Sequence, residues 1–271
     1  MLPLLAILVA PPPPVVPLPR AHAHNDYAHP RPLHDALAHG FTSVEADVFL
    51  SNGQLLVGHT WLEVMPDRLR DKPLRTLQTL YLEPLRQRIK QRGGAVYHAA
   101  TPFYLLIDLK TEGQATYAAV HQALAQYPDV FSVTRDGKHT PGPVVAVISG
   151  NTPREVIRAQ KLRYAGIDGR PSDLDSDDPP HLMPWISTAW RFRWRGEGAM
   201  PAAEREQLRT MVRRAHAKGR QLRFWATPER EAVWQELYDA GVDRLNTDHL
   251  SRLRDWLRTD RGTGQSKTAA K

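Results

Sequence analysis

Cysteine is absent from the 271 residues. That excludes a disulfide framework, Cys-ligated zinc, an iron–sulfur cluster, a thiol nucleophile and lipid attachment through sulfur. Any metal must therefore sit on oxygen or imidazole. An uninterrupted membrane-spanning run is also missing. The uncharged stretch 2–19 comes closest in length, but Pro11 to Pro14 are consecutive and break any helix that Leu4 to Val9 starts. No glycine-rich phosphate loop, dinucleotide fingerprint, internal repeat or interdomain linker is found.

What is present is a chain with 41% apolar and 24% charged residues and a net charge of +7, enough for one large domain with a core and suited to an anionic partner. No recognition motif accompanies the charge, which argues against nucleic acid. Residues 1–17 are expected to be a leader. The Leu4 to Ala10 run resembles the apolar region of an export signal, which would put the protein outside the cytoplasm, and the alternative is a proline-rich leader on a cytoplasmic protein. Residues 259–271 read as a frayed polar tail.

Residues 18–258 alternate between strand and helix patterns. Short apolar runs predict strands at 17–24, 43–49, 103–109, 144–149, 164–168, 185–189, 222–226 and 242–246. Helical periodicity fills the gaps at 33–38, 74–89, 115–127, 153–162, 201–218, 229–240 and 250–257, whereas 171–184 is rich in Asp and Pro and reads as a loop. Eight strands with seven helices fit a single-domain (β/α)8 TIM barrel better than an open doubly wound sheet.

In such a barrel the site is built at the carboxyl ends of the strands, and polar residues gather there. Glu45 and Asp47 share one face of the second strand, and Asp108 and Lys110 share one face at the end of the third. Two readings stay open: ordinary acids at solvated strand ends with an Asp108–Lys110 ion pair, or three oxygen ligands for one hard divalent cation, Mg2+ or Ca2+, with Lys110 neutralising an anionic oxygen beside it. His24 and His59 flank the acids from different segments. One imidazole can take a proton from an attacking hydroxyl while the other gives one to a leaving alkoxide, as displacement at phosphorus requires. Asn25 beside His24, with Trp190 and Trp225 near later strand ends, are the candidates for substrate contact, with packing as the competing explanation for the tryptophans.

Taken in order, His24-Asn-Asp-Tyr27, Ser43-Val-Glu-Ala-Asp-Val48, Val57-Gly-His-Thr60, Asp108-Leu-Lys110, Arg223-Phe-Trp-Ala-Thr227 and Gly241-Val-Asp-Arg-Leu-Asn-Thr-Asp248 resemble the PLC-like phosphodiesterase superfamily. That superfamily contains the glycerophosphodiester phosphodiesterases and the sphingomyelinases D. Within it the sequence is most similar to the branch named for yeast altered inheritance of mitochondria protein 6, over about residues 18 to 258. The resemblance implies a TIM barrel, one Mg2+ or Ca2+ on Glu45, Asp47 and Asp108, and acid and base roles for His24 and His59. It departs from glycerophosphodiesterases in having His24-Asn25-Asp26 where they have His-Arg-Gly, and Asp108 where they commonly have Glu. The expected activity is metal-dependent hydrolysis of a small phosphodiester or phospholipid, with contact to a membrane surface and an optional cyclic phosphate intermediate. A catalytically silent barrel that binds anionic lipid or phosphate is the alternative.

Overall fold

Residues 15–64, 74–97 and 101–259 are described by a computed structural model. The signal-like stretch, most of the polar tail and His98 lie outside them.

Each predicted apolar run forms a strand: β1 (Leu18–Ala23), β2 (Phe41–Ser51), β3 (Phe103–Leu109), β4 (Val144–Gly150), β5 (Ala165–Gly169), β6 (Trp185–Ala189), β7 (Gln221–Trp225) and β8 (Leu245–Thr247). They pair in parallel in the order β7-β6-β5-β4-β3-β2-β1-β8. The seam between β7 and β8 is narrowed by a parallel bridge, Arg223 to Arg244. The result is a nearly closed (β/α)8 TIM barrel in one domain.

Helices follow the strands, seven where the periodicity predicts them and one more, a single turn at Trp61–Val64, where it does not. They are α1 (His34–His39), α2 (Trp61–Val64), α3 (Glu83–Gln91), α4 (Gly113–Ala125), α5 (Arg154–Ala159), α6 (Ala202–Ala217), α7 (Glu231–Ala240) and α8 (Leu250–Arg258). A π-helical turn, Gln78–Leu82, leads into α3. Between β5 and β6 only a short 3-10 turn, Pro171–Asp173, interrupts the predicted loop.

Two short elements depart from the sequence reading. Gln54–Val57 folds back antiparallel on β2 around Asn52 and Gly53, whose φ values of 49° and 75° are those of a tight hairpin turn. Beyond β3, Val133–Arg135, Lys138–Thr140 and Leu162–Arg163 form a small antiparallel sheet.

Alternation along the strands separates two cores. Val44, Ala46, Leu105, Ile107 and Ile148 belong to the large cluster that packs against the helices. Tyr104, Leu106, Val147 and Trp185 form a separate small cluster, which fills the inside of the barrel in layers. Toward the amino end Trp185 stacks on Tyr104 at 5.6 Å, and toward the middle it meets the edge of His22 at 5.9 Å. The barrel is therefore plugged from below, and the polar residues of the upper layer stand on an apolar floor.

Candidate active site

Register brings the acids together. Asp47 on β2 lies directly opposite Asp108 on β3, and Glu45 is one inward-facing position lower on β2. Oxygens from Glu45, Asp47 and Asp108 fall within 4.8 Å of one another. Gly150, at φ 69°, closes β4 beside them, and a Cβ there would overlap Asp108 Oδ1, so only glycine leaves room for that carboxylate.

The acids are partly compensated by cations. Lys110 Nζ lies 3.0 Å from Asp47 Oδ2 and 3.4 Å from Asp108 Oδ1. Arg223, 3% exposed, donates from Nη2 to Glu45 Oε2 at 2.6 Å and from Nε to Asn246 Oδ1 at 3.0 Å. Burial opposes the Glu45 charge, but Arg223 outweighs it and holds the carboxyl far below the usual range. Burial pushes Asp108 up to about 6 despite Lys110. Burial and the neighbouring Glu45 charge raise Asp47 as well. Asp47 Oδ1 is buried and has no hydrogen-bond partner among the described residues. An orphaned carboxylate oxygen among three converging acids, two of them held back from ionising, fits a hard divalent cation.

The two histidines are held at the same rim. His24 Nδ1 lies 2.8 Å from Asp248 Oδ1 and 3.0 Å from Asn25 Nδ2. Nδ1 carries one proton at most toward these neighbours, so it donates to Asp248, and Asn25 Nδ2 turns to the same carboxylate at 3.4 Å. Burial works against the charged imidazole, but the bond to Asp248 outweighs it and raises the His24 pKa. Asn25 occupies a left-handed turn, φ 47°, which Asn tolerates better than most residues. The Tyr27 hydroxyl sits 2.6 Å from Asn25 Oδ1, 2.8 Å from Asp47 Oδ2 and 3.0 Å from His59 Nδ1. Asn25 thus meets His24 through the shared Asp248 carboxylate, and the Tyr27 hydroxyl stands between Asn25, Asp47 and His59, with its one hydrogen for either Asn25 Oδ1 or Asp47 Oδ2. The main-chain N–H of His59 donates to Glu63 at 2.8 Å, which fixes the loop after the hairpin.

All of His24, Asn25, Glu45, Asp47, His59, Asp108 and Lys110 therefore meet at one mouth of the barrel. The tryptophans separate. Trp225 is 43% exposed and lines a cavity of about 470 Å³ with Arg170, Arg191, Phe192 and Phe224, at the carboxyl ends of β5 to β7. Trp190 is buried beneath it against Phe192 and Phe224, with Nε1 donating to the Trp194 carbonyl. After β6, Phe192 and Trp194 turn inward while Arg191, Arg193 and Arg195 face solvent.

Sequence reasoning assigned no role to Tyr27, Arg223 or Asp248, although all three stand inside the quoted motifs. It also passed over buried Asp168 and Ser149 with the partly exposed Arg170, a group in which Ser149 Oγ and Arg170 Nη1 donate to Asp168 Oδ2 at 2.8 and 2.7 Å.

The profile of the AIM6-like phosphodiesterase domain matches residues 13–167. The chain belongs to this family. The glycerophosphoryl diester phosphodiesterase family matches a second segment, 221–251, which carries Arg223 and Asp248. Among AIM6-like relatives, an altered inheritance of mitochondria protein 6 homolog of Arthroderma benhamiae is 28% identical, over 90% of this chain and 85% of its own. Altered inheritance of mitochondria protein 6 of Eremothecium gossypii is 31% identical, over 87% of this chain and 69% of its own. A glycerophosphodiester phosphodiesterase from Agrobacterium tumefaciens has the same fold, with a TM-score of 0.50 and 17% identity over 88% of this chain and 100% of its own.

Proposed function

We propose that this AIM6-like barrel is a metal-dependent phosphoric diester hydrolase for a glycerophosphodiester or phospholipid-type substrate. The observation that carries this reading is the convergence of three carboxylates, within 4.8 Å of one another, with two histidines, His24 held by Asp248 and His59 beside the Tyr27 hydroxyl.

Glu45, Asp47 and Asp108 would hold one Mg2+ or Ca2+, which supplies Lewis-acid polarisation of a phosphoryl oxygen. Lys110, tied to Asp47 and Asp108, stays protonated and adds positive charge where negative charge grows during displacement at phosphorus. With Nδ1 committed to Asp248, His24 uses Nε2 to move a proton; His59 takes the same part from the other side of the Tyr27 hydroxyl. One imidazole removes a proton from the attacking hydroxyl, of water or of the substrate itself, and the other protonates the leaving alkoxide. Attack by a substrate hydroxyl gives a cyclic phosphate. The cavity beneath Trp225 receives the organic portion. Trp61, 47% exposed, and Leu62, 85% exposed, follow His59 closely and support access from a lipid surface.

A panel of glycerophosphodiesters and phospholipids, assayed with Mg2+ or Ca2+, tests the proposal. Chelation should abolish hydrolysis, and His24→Ala and His59→Ala should each lose turnover by ~10²-fold or more. In both histidine variants a divalent ion should still raise Tm by mass action, whereas in Asp47→Asn it should not. Saturable binding of diesters without turnover would replace the enzyme by a barrel that only binds anionic ligands.

A further inference from the structure

A second cavity, of about 410 Å³, opens at the opposite end of the barrel. Tyr104, Val145, Ala165 and Gln221 line it, and each is the first or second residue of its strand. The small antiparallel sheet closes one side and contributes Arg163, which is 5% exposed. Only Nη2 of this guanidinium is engaged among the described residues. It donates to His181 Nδ1 at 2.7 Å, to Thr134 Oγ1 at 3.2 Å and to the His181 carbonyl at 3.4 Å. No carboxylate pairs with Arg163 among the described residues, and no acidic side chain lines the cavity. A buried guanidinium surrounded by neutral groups, with Nε and Nη1 free, favours an anion beside it.

The hydrogen bonds also bear on what the two histidines of the cavity offer, and for His181 they fix it. Arg163 has only donors, so His181 Nδ1 accepts and its proton sits on Nε2. Thr134 Oγ1 accepts from Arg163 and lies 3.1 Å from His139 Nδ1; when it gives its own hydrogen to that nitrogen, His139 presents Nε2–H as well. The two rings stack, with centroids 4.9 Å apart and planes 8° from parallel. Burial, reinforced by Arg163, lowers both imidazole pKa values and keeps the rings neutral. Ser132 Oγ accepts from the Gly142 N–H at 3.0 Å, so its own hydrogen is free to donate. These donors exceed the about four lone-pair positions of a carboxylate and suit the three free oxygens of a phosphomonoester.

We propose that this amino-terminal cavity is a second binding site for a small phosphate ligand, with Arg163, His139 and His181 on the phosphate and Tyr164, Pro180 and Pro184 around any organic part. The recognition chemistry is shared by an organic phosphomonoester and by free phosphate, and the site is independent of the function proposed for the acidic mouth.

Calorimetric titration of the full chain with phenyl phosphate, and separately with inorganic phosphate, tests this in the presence of a chelator. Saturable binding is expected, unchanged in Asp47→Asn and weakened about tenfold or more in Arg163→Gln and in His181→Ala. If Arg163→Gln fails to fold, His139→Ala, at a half-buried residue, gives the same readout. Equal affinities would identify free phosphate as a sufficient ligand, and a tenfold preference for phenyl phosphate would identify an ester; either supports the site. The proposal is overturned if neither phosphate binds, if benzoate binds as tightly as phenyl phosphate, if Asp47→Asn abolishes binding, or if the Arg163 and histidine variants bind like the wild type.

Discussion

Arg223 and Arg244 are backbone neighbours across the seam of the barrel, yet their side chains run to opposite ends and are satisfied by opposite means. Arg223 reaches the acidic layer and meets a carboxylate, Glu45, at 2.6 Å. Arg244 reaches the amino end and meets none. It donates to Gln221 Oε1, the Pro19 carbonyl and Thr42 Oγ1, and its guanidinium lies 4.0 Å from the centre of the Tyr104 ring. Both are 3% exposed. The lower arginine is a structural plug whose hydrogen bonds, from Nε and Nη1, go to neutral acceptors. The upper one balances the buried charge of Glu45, in a layer where Asp47 Oδ1 has no hydrogen-bond partner among the described residues.

The sharpest way to break this comparison is to remove each guanidinium. Arg223→Met should cost about 3–5 kcal/mol, because Glu45 is left buried and unpaired. Arg244→Met should cost about 1–3 kcal/mol, because only neutral acceptors lose a donor. Denaturant unfolding of both variants measures the difference. Saturating Mg2+ or Ca2+ should narrow the Arg223→Met deficit, since the ion compensates Glu45, and leave Arg244→Met where it was. Equal losses, or equal rescue, would mean that Glu45 carries no special charge burden.

Smaller, and confined to the upper end, is the contribution of Asp26. Its Oδ2 accepts from the Leu33 N–H at 2.6 Å and from the Tyr81 hydroxyl at 2.9 Å, while Oδ1 is buried without a partner. Burial raises its pKa from 3.8 to about 7. Between those values the folded chain keeps a proton that the unfolded chain has lost. Stability therefore falls as pH rises from about 4 to about 7, and the full penalty persists above. Asp26→Asn keeps an oxygen for both donors and removes the titration. Relative to wild type its Tm at pH 8.5 should gain about 4 °C or more over the comparison at pH 5.5. A difference independent of pH would place the proton elsewhere.

Much of the carboxyl end could be read from the sequence and little of the amino end, and the boundary is physical. Strand alternation is local, so the pairs Glu45 with Asp47 and Asp108 with Lys110 announce a shared face without any knowledge of the fold. Barrel topology then sets Asp47 opposite Asp108. The Asn52-Gly53 turn carried a hairpin signal that was readable as well. Pairings between distant segments were not. Asp248 is 224 residues from His24, and Arg223 is 178 from Glu45; no periodicity links them, and only closure of the barrel brings them together. The same limit applies to Trp190. Its neighbours alternate between Arg and aromatic residues, and the side of the loop that turns inward depends on packing against Phe224. Arg163 was invisible for a further reason: its partners come from a small sheet with strands of two or three residues.

The smallest expected effect concerns the cavity beside the acids, where Trp225 is the half-exposed counterpart of the buried Trp190. Under the proposed function a phosphodiester, with one negative charge at neutral pH, would set its phosphate at the acidic mouth with Lys110 and leave its organic part to Trp225. Trp225→Ala removes apolar surface that a long diester covers and a short one does not. Turnover on a lipid-like diester should fall about five- to tenfold, and on a small chromogenic diester about twofold or less. Because Trp225 is 43% exposed, the fold loses little, and Tm should shift by only about 1–2 °C. Both assays need matched ionic strength, since the net charge of +7 speeds the approach of anionic substrates to a degree that salt alters. An equal fall on both diesters would assign Trp225 to support of the β7 end, the part Trp190 already plays beneath it, and would leave Phe192, Phe224 and Arg191 as the walls that read the substrate.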